Sequence, residues 1–178
     1  MGRNDYFNHD FFWKFIFHTP FSYKEDTIER WEESSVNYEK EEKAMKADEK
    51  TEAAVIESLN KFVQAYSKKD LDGVLSLFAP DPDVMFIGTG KDEKCFGLME
   101  LKSQVEYDWS QCETLSMEIG WSTVSMAGNV AWLAADVIVR AAAGLQEVSV
   151  PARLTAVLEK REDQWFFVQW HGSLPAAE

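Results

Sequence analysis

The chain has 178 residues, of which 46% are hydrophobic, and its formal net charge is -13. This length suits one domain of ordinary size plus an extension, and the hydrophobic fraction is enough for a core, which argues against global disorder. The negative charge argues against a nucleic-acid binder, because neutralising phosphates requires clustered Lys and Arg. It also disfavours a partner as acidic as the chain itself.

The cysteine spacing and the apolar runs predict neither a metal site nor a membrane segment. Cys95 and Cys112 are the two cysteines of the sequence, and their spacing fits no metal or redox motif, so we expect free thiols, no metal and no cofactor. No apolar run has the length of a membrane span. The short FFWKFIF segment contains Lys14 and follows Asp10 rather than a basic region, which makes it a poor signal peptide. We therefore expect a cytoplasmic protein without a membrane partner.

Composition changes sharply near residue 50, which predicts a boundary between residues 1–50 and residues 51–178. The first region combines an aromatic segment with a charged, helix-prone stretch over 24–52, and Ser22 with Glu25 forms a plausible capping box before it. The aromatic segment could cover the following domain, add to a dimer contact, touch a membrane surface or be disordered. Its many aromatic side chains favour packing against the domain.

The second region opens with helical periodicity. Apolar residues recur every three or four positions from Val55 to Tyr66, which predicts an amphipathic helix. Asp70 can cap a short second helix, which ends before Pro80 because proline cannot continue the backbone hydrogen bonds. The VMFI sequence predicts a strand, GTG a turn, and residues 98–110 a third helix.

From residue 115 the hydrophobic period changes to two, which predicts long strands. They are expected at residues 115–126, 129–141, 147–161 and 164–173. Helices followed by such a meander indicate an α+β domain. We expect a curved antiparallel sheet that wraps over three helices in a cone and leaves a pocket between the two layers.

Five segments of the sequence occur in the order found in a known domain: AYSKKDLDGVLSLFAPDPDVMFIGTG, CFGLMELKS, GNVAWLAAD, RLTAVLEKREDQW and WHGS. Over residues 52–175 the chain resembles the SnoaL-like domain of the nuclear-transport-factor-2-like superfold. That superfold also includes ketosteroid isomerases and the association domain of a calmodulin-dependent kinase. The resemblance implies the cone-shaped α+β fold. It leaves function open, because the superfold hosts isomerases, cyclases, hydrolases and assembly modules.

The chain departs from the ketosteroid isomerases at the positions that carry their chemistry. Those enzymes place a tyrosine on the first helix and a base aspartate on the first strand, where ungapped comparison puts Phe62 and Phe86. A phenyl ring can neither donate to an oxyanion nor accept a proton. The second oxyanion donor of that family aligns near Arg153. The resemblance therefore argues against steroid isomerisation in its familiar form.

Strand alternation sorts the side chains of the last two predicted strands into two faces. Leu154 and its even-numbered neighbours form an almost wholly apolar face, whereas Arg153 and Thr155 belong to a mixed face. On the last strand Trp170 lies on the apolar face and His171 on the mixed one. We predict that the apolar face is a homodimer interface and that the mixed face points into the cone.

The predicted site combines a cation, a proton carrier and aromatic walls. Arg153 stays charged and either binds a carboxylate or enolate bidentately or forms an ion pair with Asp136 or Glu118. His171 can exchange a proton near neutral pH, or it can be a structural histidine satisfied by Ser173 or Gln169. His171 and Asp136 are the catalytic candidates. The predicted ligand-binding residues are Arg153, Trp132, Tyr66, Phe86, Trp109 and Gln169.

Three functions are compatible with these residues. The favoured one is a homodimer that binds a small organic molecule, anionic or enolisable, because no committed nucleophile or carboxylate pair is evident. The alternative is an isomerase, cyclase or hydrolase in which His171 moves a proton and Arg153 stabilises an oxyanion. In a third interpretation the domain is an assembly module with a vestigial pocket.

Overall fold

The computed structural model describes residues 45–175, which contain three helices and six strands. In chain order they are α1 (Glu49–Ser67), α2 (Leu71–Leu75), β1 (Met85–Ile87), β2 (Lys94–Phe96), α3 (Gly97–Ser110), β3 (Thr114–Ala127), β4 (Val130–Ala143), β5 (Gln146–Arg161) and β6 (Gln164–Ser173). The three helices predicted after residue 50 and the four long strands are confirmed, whereas β2 was not predicted. The predicted aromatic segment and the Ser22–Glu25 cap lie outside the described residues. The boundary at residue 50 stays a prediction.

The chain enters the described region as an extended segment rather than as a helix. The backbone amide of Ala47 donates to the carbonyl of Val124 at 3.2 Å, which aligns this segment with the edge of β3. Asp48 then caps α1 by accepting a hydrogen bond from the amide of Thr51 at 2.7 Å. The predicted charged helix through residue 52 is therefore wrong at residues 45–48. Within the described chain, no helix has the length and hydrophobicity needed to cross a membrane.

The strands form one curved, unclosed sheet in the order β2-β1-β6-β5-β4-β3. The four long strands pair antiparallel, as predicted. The short β1, however, pairs parallel with β6, so the sheet is mixed and not wholly antiparallel. A parallel pair needs a long connection, and the chain supplies one because β2, α3 and three long strands lie between β1 and β6.

The apolar face of the sheet packs under the helices, which reverses the predicted orientation. On β5 the even-numbered residues Ala152, Leu154 and Leu158 are 6%, 3% and 0% exposed, whereas Arg153 and Thr155 are exposed. The hydrophobic effect favours this arrangement, since it removes the more apolar surface from water. The prediction that this apolar face is an exposed dimer surface is wrong. We call the face that covers the helices the inner face and the opposite one the outer face.

A β-bulge in β6 changes which of its residues reach the core. Val157 pairs with Gln169, but the next residue, Leu158, pairs with Phe167, so Val168 is an extra residue on β6. Phe167 and Trp170 consequently both lie on the inner face, at 0% and 4% exposure. Strict alternation had assigned them to opposite faces.

Aromatic rings fill the space between α1 and the inner face. The ring centroids of Phe62 and Trp170 are 4.2 Å apart, and Phe86 stacks on Trp170 at 6.1 Å with an interplanar angle of 14°. Phe78 and Phe167 complete this cluster at a centroid distance of 5.3 Å. Phe86 is only 8% exposed. The position predicted as a pocket wall is therefore part of the core.

Candidate functional site

The sheet divides the predicted site residues into two groups. On the outer face, Asp136 lies directly opposite Arg153, and His171 lies opposite Thr155 on the neighbouring strand. The predicted residues that β4, β5 and β6 bring together there are Trp132, Asp136, Arg153, Gln169 and His171. The remaining three, Tyr66, Phe86 and Trp109, pack on the inner side. The prediction that Arg153 and His171 point into the cone is wrong, because both side chains are exposed on the other face. Their functional roles stay predictions.

The outer face holds a groove of about 330 Å³. Its lining is formed by Thr123, Ser125, Trp132, Leu133, Ala134, Thr155, Ala156, Val157 and Gln169. Glu118, one of the predicted partners of Arg153, instead forms an ion pair with Arg140 at 2.6 Å. Asp136 lies opposite Arg153 in the sheet, but the side chains of these two residues form no ion pair within 4.0 Å. The groove is thus lined by uncharged residues, and its surface is mainly apolar around Trp132 with a few hydroxyl groups.

The inner side contains a polar cluster of Tyr66, Gln104 and Asp108. The hydroxyl of Tyr66 donates to Oδ2 of Asp108 at 2.6 Å, and Nε2 of Gln104 donates to Oδ1 at 2.7 Å. Both oxygens of the carboxylate therefore have a donor. Tyr66 is 5% exposed, whereas Asp108 and Gln104 are half-buried at the margin of the core.

The two helices position this polar cluster. Gln104 and Asp108 are four residues apart on α3, so their side chains lie on one face of the helix. Tyr66 comes from the last turn of α1, where its ring stacks on Phe62 at 5.3 Å and contacts the ring of Trp109 at 5.7 Å. The hydrogen bonds of Tyr66 consequently connect the ends of α1 and α3.

Lys69 reinforces the same junction. It adopts a left-handed backbone conformation with φ 57° just after α1. Its ammonium group donates to the carbonyls of Trp109 and Cys112 at 3.1 Å and 2.9 Å. A cation at these carbonyls satisfies acceptors that the end of α3 leaves free and complements the helix dipole.

Burial gives the polar cluster unusual proton affinities. Burial raises the pKa of Asp108 from 3.8 to about 6, although the hydrogen bonds from Tyr66 and Gln104 act in the opposite direction, and repulsion from Glu93 adds to the rise. Burial and the neighbouring Asp108 raise the pKa of Tyr66 well above 10. Near neutral pH Asp108 can therefore gain or lose a proton, while Tyr66 remains a neutral donor. A carboxyl group tuned in this way is a candidate functional group.

Two further groups border the polar cluster. Burial raises the pKa values of Cys95 and Cys112, so both stay neutral thiols and are poor nucleophiles. The Nε1–H group of Trp109 is buried without a hydrogen-bond partner among the described residues. Since buried donors are nearly always paired, this unpaired indole marks an unusual position beside the polar cluster.

Sequence reasoning identified Tyr66 and Trp109 but missed Gln104 and Asp108. One signal was present. Asp108 lies in the last turn of α3, where the helix dipole disfavours negative charge, and that turn contains no basic residue. An acidic residue at such a position suggests that its side chain has a specific partner.

Comparison with known proteins identifies the domain. The profile of the SnoaL-like domain matches residues 55–177. A candidate dehydratase of the nuclear-transport-factor-2-like family from Streptomyces avermitilis is similar in structure, with 17% identity, a TM-score of 0.67, and coverage of 72% of this chain and 99% of that one. A candidate calcium/calmodulin-dependent protein kinase II association domain from Xanthomonas campestris has 22% identity, a TM-score of 0.63, and coverage of 75% and 96%. No curated protein matches significantly. The identities are low, so these structures establish the fold alone.

Proposed function

Because the chain belongs to the SnoaL-like family, we propose that it is a homodimeric protein that binds a small organic molecule beside the polar cluster. The observation that carries this proposal is the half-buried carboxyl group of Asp108, held by Tyr66 and Gln104. Apart from Ser58, the buried side chains of residues 45–175 are apolar or aromatic. Retaining an ionisable group at such a place costs stability, which supports a role in recognition.

The charges near the polar cluster favour a neutral ligand. The expectation of an anionic ligand depended on Arg153 facing the interior, and Arg153 lies on the outer face. Glu93 and Asp108 instead place two mutually repelling carboxyl groups near the inner site, which disfavours a further anion there. A neutral cyclic molecule with a hydroxyl or carbonyl group could exchange hydrogen bonds with Asp108 and Tyr66 and accept one from the indole of Trp109.

A second candidate function is proton-transfer catalysis, such as isomerisation. It is favoured by the pKa of Asp108 at about 6, since a general acid–base works best when its pKa is close to the operating pH. In this version Asp108, held in place by the hydrogen bond from Tyr66, moves the proton in place of the predicted His171. The similarity in fold to the candidate dehydratase from Streptomyces avermitilis is compatible with it.

Ligand binding tests the inner site against the outer face. Native mass spectrometry of the purified protein would reveal co-purifying molecules. Neutral phenols and cyclic ketones would serve as probe ligands, and NMR titration would measure their binding. We expect Asp108→Asn to weaken binding of a neutral ligand about tenfold, as expected when a hydrogen bond to a charged group is replaced by a neutral one. His171→Ala should leave binding unchanged. If His171→Ala lost binding and Asp108→Asn kept it, the ligand site would lie on the outer face.

Turnover separates the binder from the enzyme. An enzyme that uses Asp108 should convert the bound molecule with a rate that changes around pH 6, and Asp108→Asn should abolish this change. Binding without conversion at any pH between 5 and 8 would leave the binding protein as the function.

For the homodimer, the outer face replaces the buried apolar face as the proposed contact. Trp132 and Ile138 remain 36% and 37% exposed there, and Trp132 borders the groove. Large apolar side chains that stay exposed on an open sheet face are compatible with a protein interface there. A second copy of the chain is the proposed occupant.

A further inference from the structure

Gln104 contacts the oxygen of Asp108 that Tyr66 does not reach. Its Nε2 atom lies 2.7 Å from Oδ1, whereas the Tyr66 hydroxyl lies 2.6 Å from Oδ2. Two donors from two helices thus satisfy the charged form of the carboxyl group. Such an arrangement suits a carboxylate and conflicts with a carboxylic acid, which has a proton to donate.

If Asp108 is protonated at Oδ1, its new O–H faces the Nε2–H of Gln104, and an acceptor at that position would remove this conflict between two donors. A primary amide can supply it, because rotation by 180° about its last side-chain bond exchanges Nε2 for Oε1 without changing its shape. The protonated Oδ1 can then donate to Oε1 of Gln104, while Tyr66 continues to donate to Oδ2. The contact between α1 and α3 is preserved in both states.

The other ionisable groups around Asp108 are already engaged. Glu93, in the β1–β2 turn, accepts from the backbone amide of Gly90 at 2.7 Å. Lys69 donates to backbone carbonyls at the end of α3, and the Cys112 thiol donates to the backbone carbonyl of Asp108 at 3.6 Å. Cys95 on β2 is buried and neutral. Gln104 is therefore the neighbour whose side chain can follow the proton.

We propose that Gln104 is the positioning residue of Asp108 and allows the polar cluster to hold either protonation state, presenting Nε2 to the carboxylate and Oε1 to the acid. The inference rests on the proposed function, in which Asp108 contacts the ligand. It adds that the site takes up or releases a proton without separating the two helices. A ligand that donates to Asp108 and one that accepts from it can then use the same site.

The test is a titration of the ligand-free protein from pH 4 to 8, followed by NMR of the Asp108 side-chain carboxyl carbon, whose resonance is assigned with Asp108→Asn. Gln104→Met removes the amide at similar length. It should raise the proton affinity of Asp108 about tenfold, since the carboxylate loses a charge-assisted hydrogen bond whereas the acid loses a weaker neutral one. Gln111→Met, which removes an exposed amide bonded to Ser110 just after α3, should leave it unchanged. An unchanged proton affinity in folded Gln104→Met would overturn the proposal.

A second measurement needs no variant at Gln104. In the wild-type protein the side-chain NH₂ resonances of Gln104 should move with the same midpoint as the Asp108 carboxyl carbon, because the amide changes its partner. Resonances of Gln104 that stay fixed while Asp108 titrates would refute the proposal even if Gln104→Met fails to fold. Both measurements omit ligand, so a wild-type protein that binds no neutral probe would refute the proposed function and leave the role of Gln104 intact.

Discussion

The Tyr66 hydroxyl and the Asp108 carboxylate, 42 positions apart in the sequence, are joined by a hydrogen bond of 2.6 Å that connects α1 to α3. Tyr66 is fixed between aromatic neighbours, so the bond holds Asp108 at the margin of the core. Burial there raises the pKa of Asp108 to about 6. The stability of the domain should consequently depend on pH in a way that one substitution can reveal.

Asp108→Asn should stabilise the protein at pH 7.5 and not at pH 4. The pKa of Asp108 is raised from 3.8 to about 6 in the folded state, so the folded chain binds this proton more tightly than the unfolded chain. The stabilising effect of this bound proton is complete below about pH 4 and is lost as the pH rises through 6. A pKa difference of this size corresponds to at most about 3 kcal/mol of unfolding free energy. We expect urea unfolding to show that the stability difference between Asp108→Asn and the wild type changes by roughly 1–3 kcal/mol between pH 4 and pH 7.5.

The matched control for Asp108→Asn is Glu106→Gln on the same helix. Glu106 is exposed and lies 3.9 Å from Lys102 in a surface ion pair. Its replacement changes the net charge by the same amount and should alter stability by less than about 0.5 kcal/mol at any pH. Equal effects of the two substitutions would indicate relief of general repulsion in an acidic protein and would contradict the role given to burial.

Tyr66→Phe should destabilise the protein and raise the pKa of Asp108. The substitution keeps the ring that packs on Phe62 and Trp109 but removes the donor to Oδ2. A lost hydrogen bond to a charged group costs about 1.5–3 kcal/mol, measurable by urea unfolding at pH 7.5. Tyr66→Phe should destabilise the Asp108→Asn protein less than it destabilises the wild type, because the two residues share one interaction. Strict additivity in the double variant would show that the bond contributes little.

The elements of the domain follow from the sequence because their signals are local. The change to a two-residue period at residue 115 and turns such as AGN and REDQ delimit the long strands to within about two residues of their observed ends. The β2 strand was missed because its three residues, Lys94–Phe96, are too few to show a period. Its pairing with β1 is a tertiary contact.

The orientation of the sheet could not be obtained from alternation alone. Alternation separates two faces but does not say which one the helices cover, and the pocket hypothesis assigned the mixed face to the inside. The bulge at Val168 added a further error, since a single extra residue reverses every side chain beyond it. Asp108 was missed for a related reason, because its partner Tyr66 is distant in sequence and only the fold brings them together.

The bulge makes neighbouring residues on β6 differ sharply in their tolerance to substitution. Trp170 is 4% exposed and contacts Phe62, Phe86 and Phe167, so Trp170→Ala should cost about 3–5 kcal/mol in urea unfolding. Gln169 is exposed on the outer face, and Gln169→Ala should change stability by less than about 0.5 kcal/mol. If Gln169→Ala were more destabilising than Trp170→Ala, the bulge would not lie at Val168 but elsewhere in β6.

The outer face should control association of the chain with itself. In a symmetric dimer the same patch meets itself, so Trp132→Glu would place two carboxylates in the contact and leave both desolvated. We expect the wild-type protein to elute as a dimer and Trp132→Glu as a folded monomer in sizing measurements with light scattering. Leu145→Glu is the control, because Leu145 is fully exposed in the β4–β5 turn and the same change there should leave the dimer intact. A Trp132→Glu protein that stays dimeric would refute this interface. If the wild-type protein instead elutes as a monomer, the groove beside Trp132 is open to small molecules. Arg153 and His171 on the same face would then again be candidate ligand contacts.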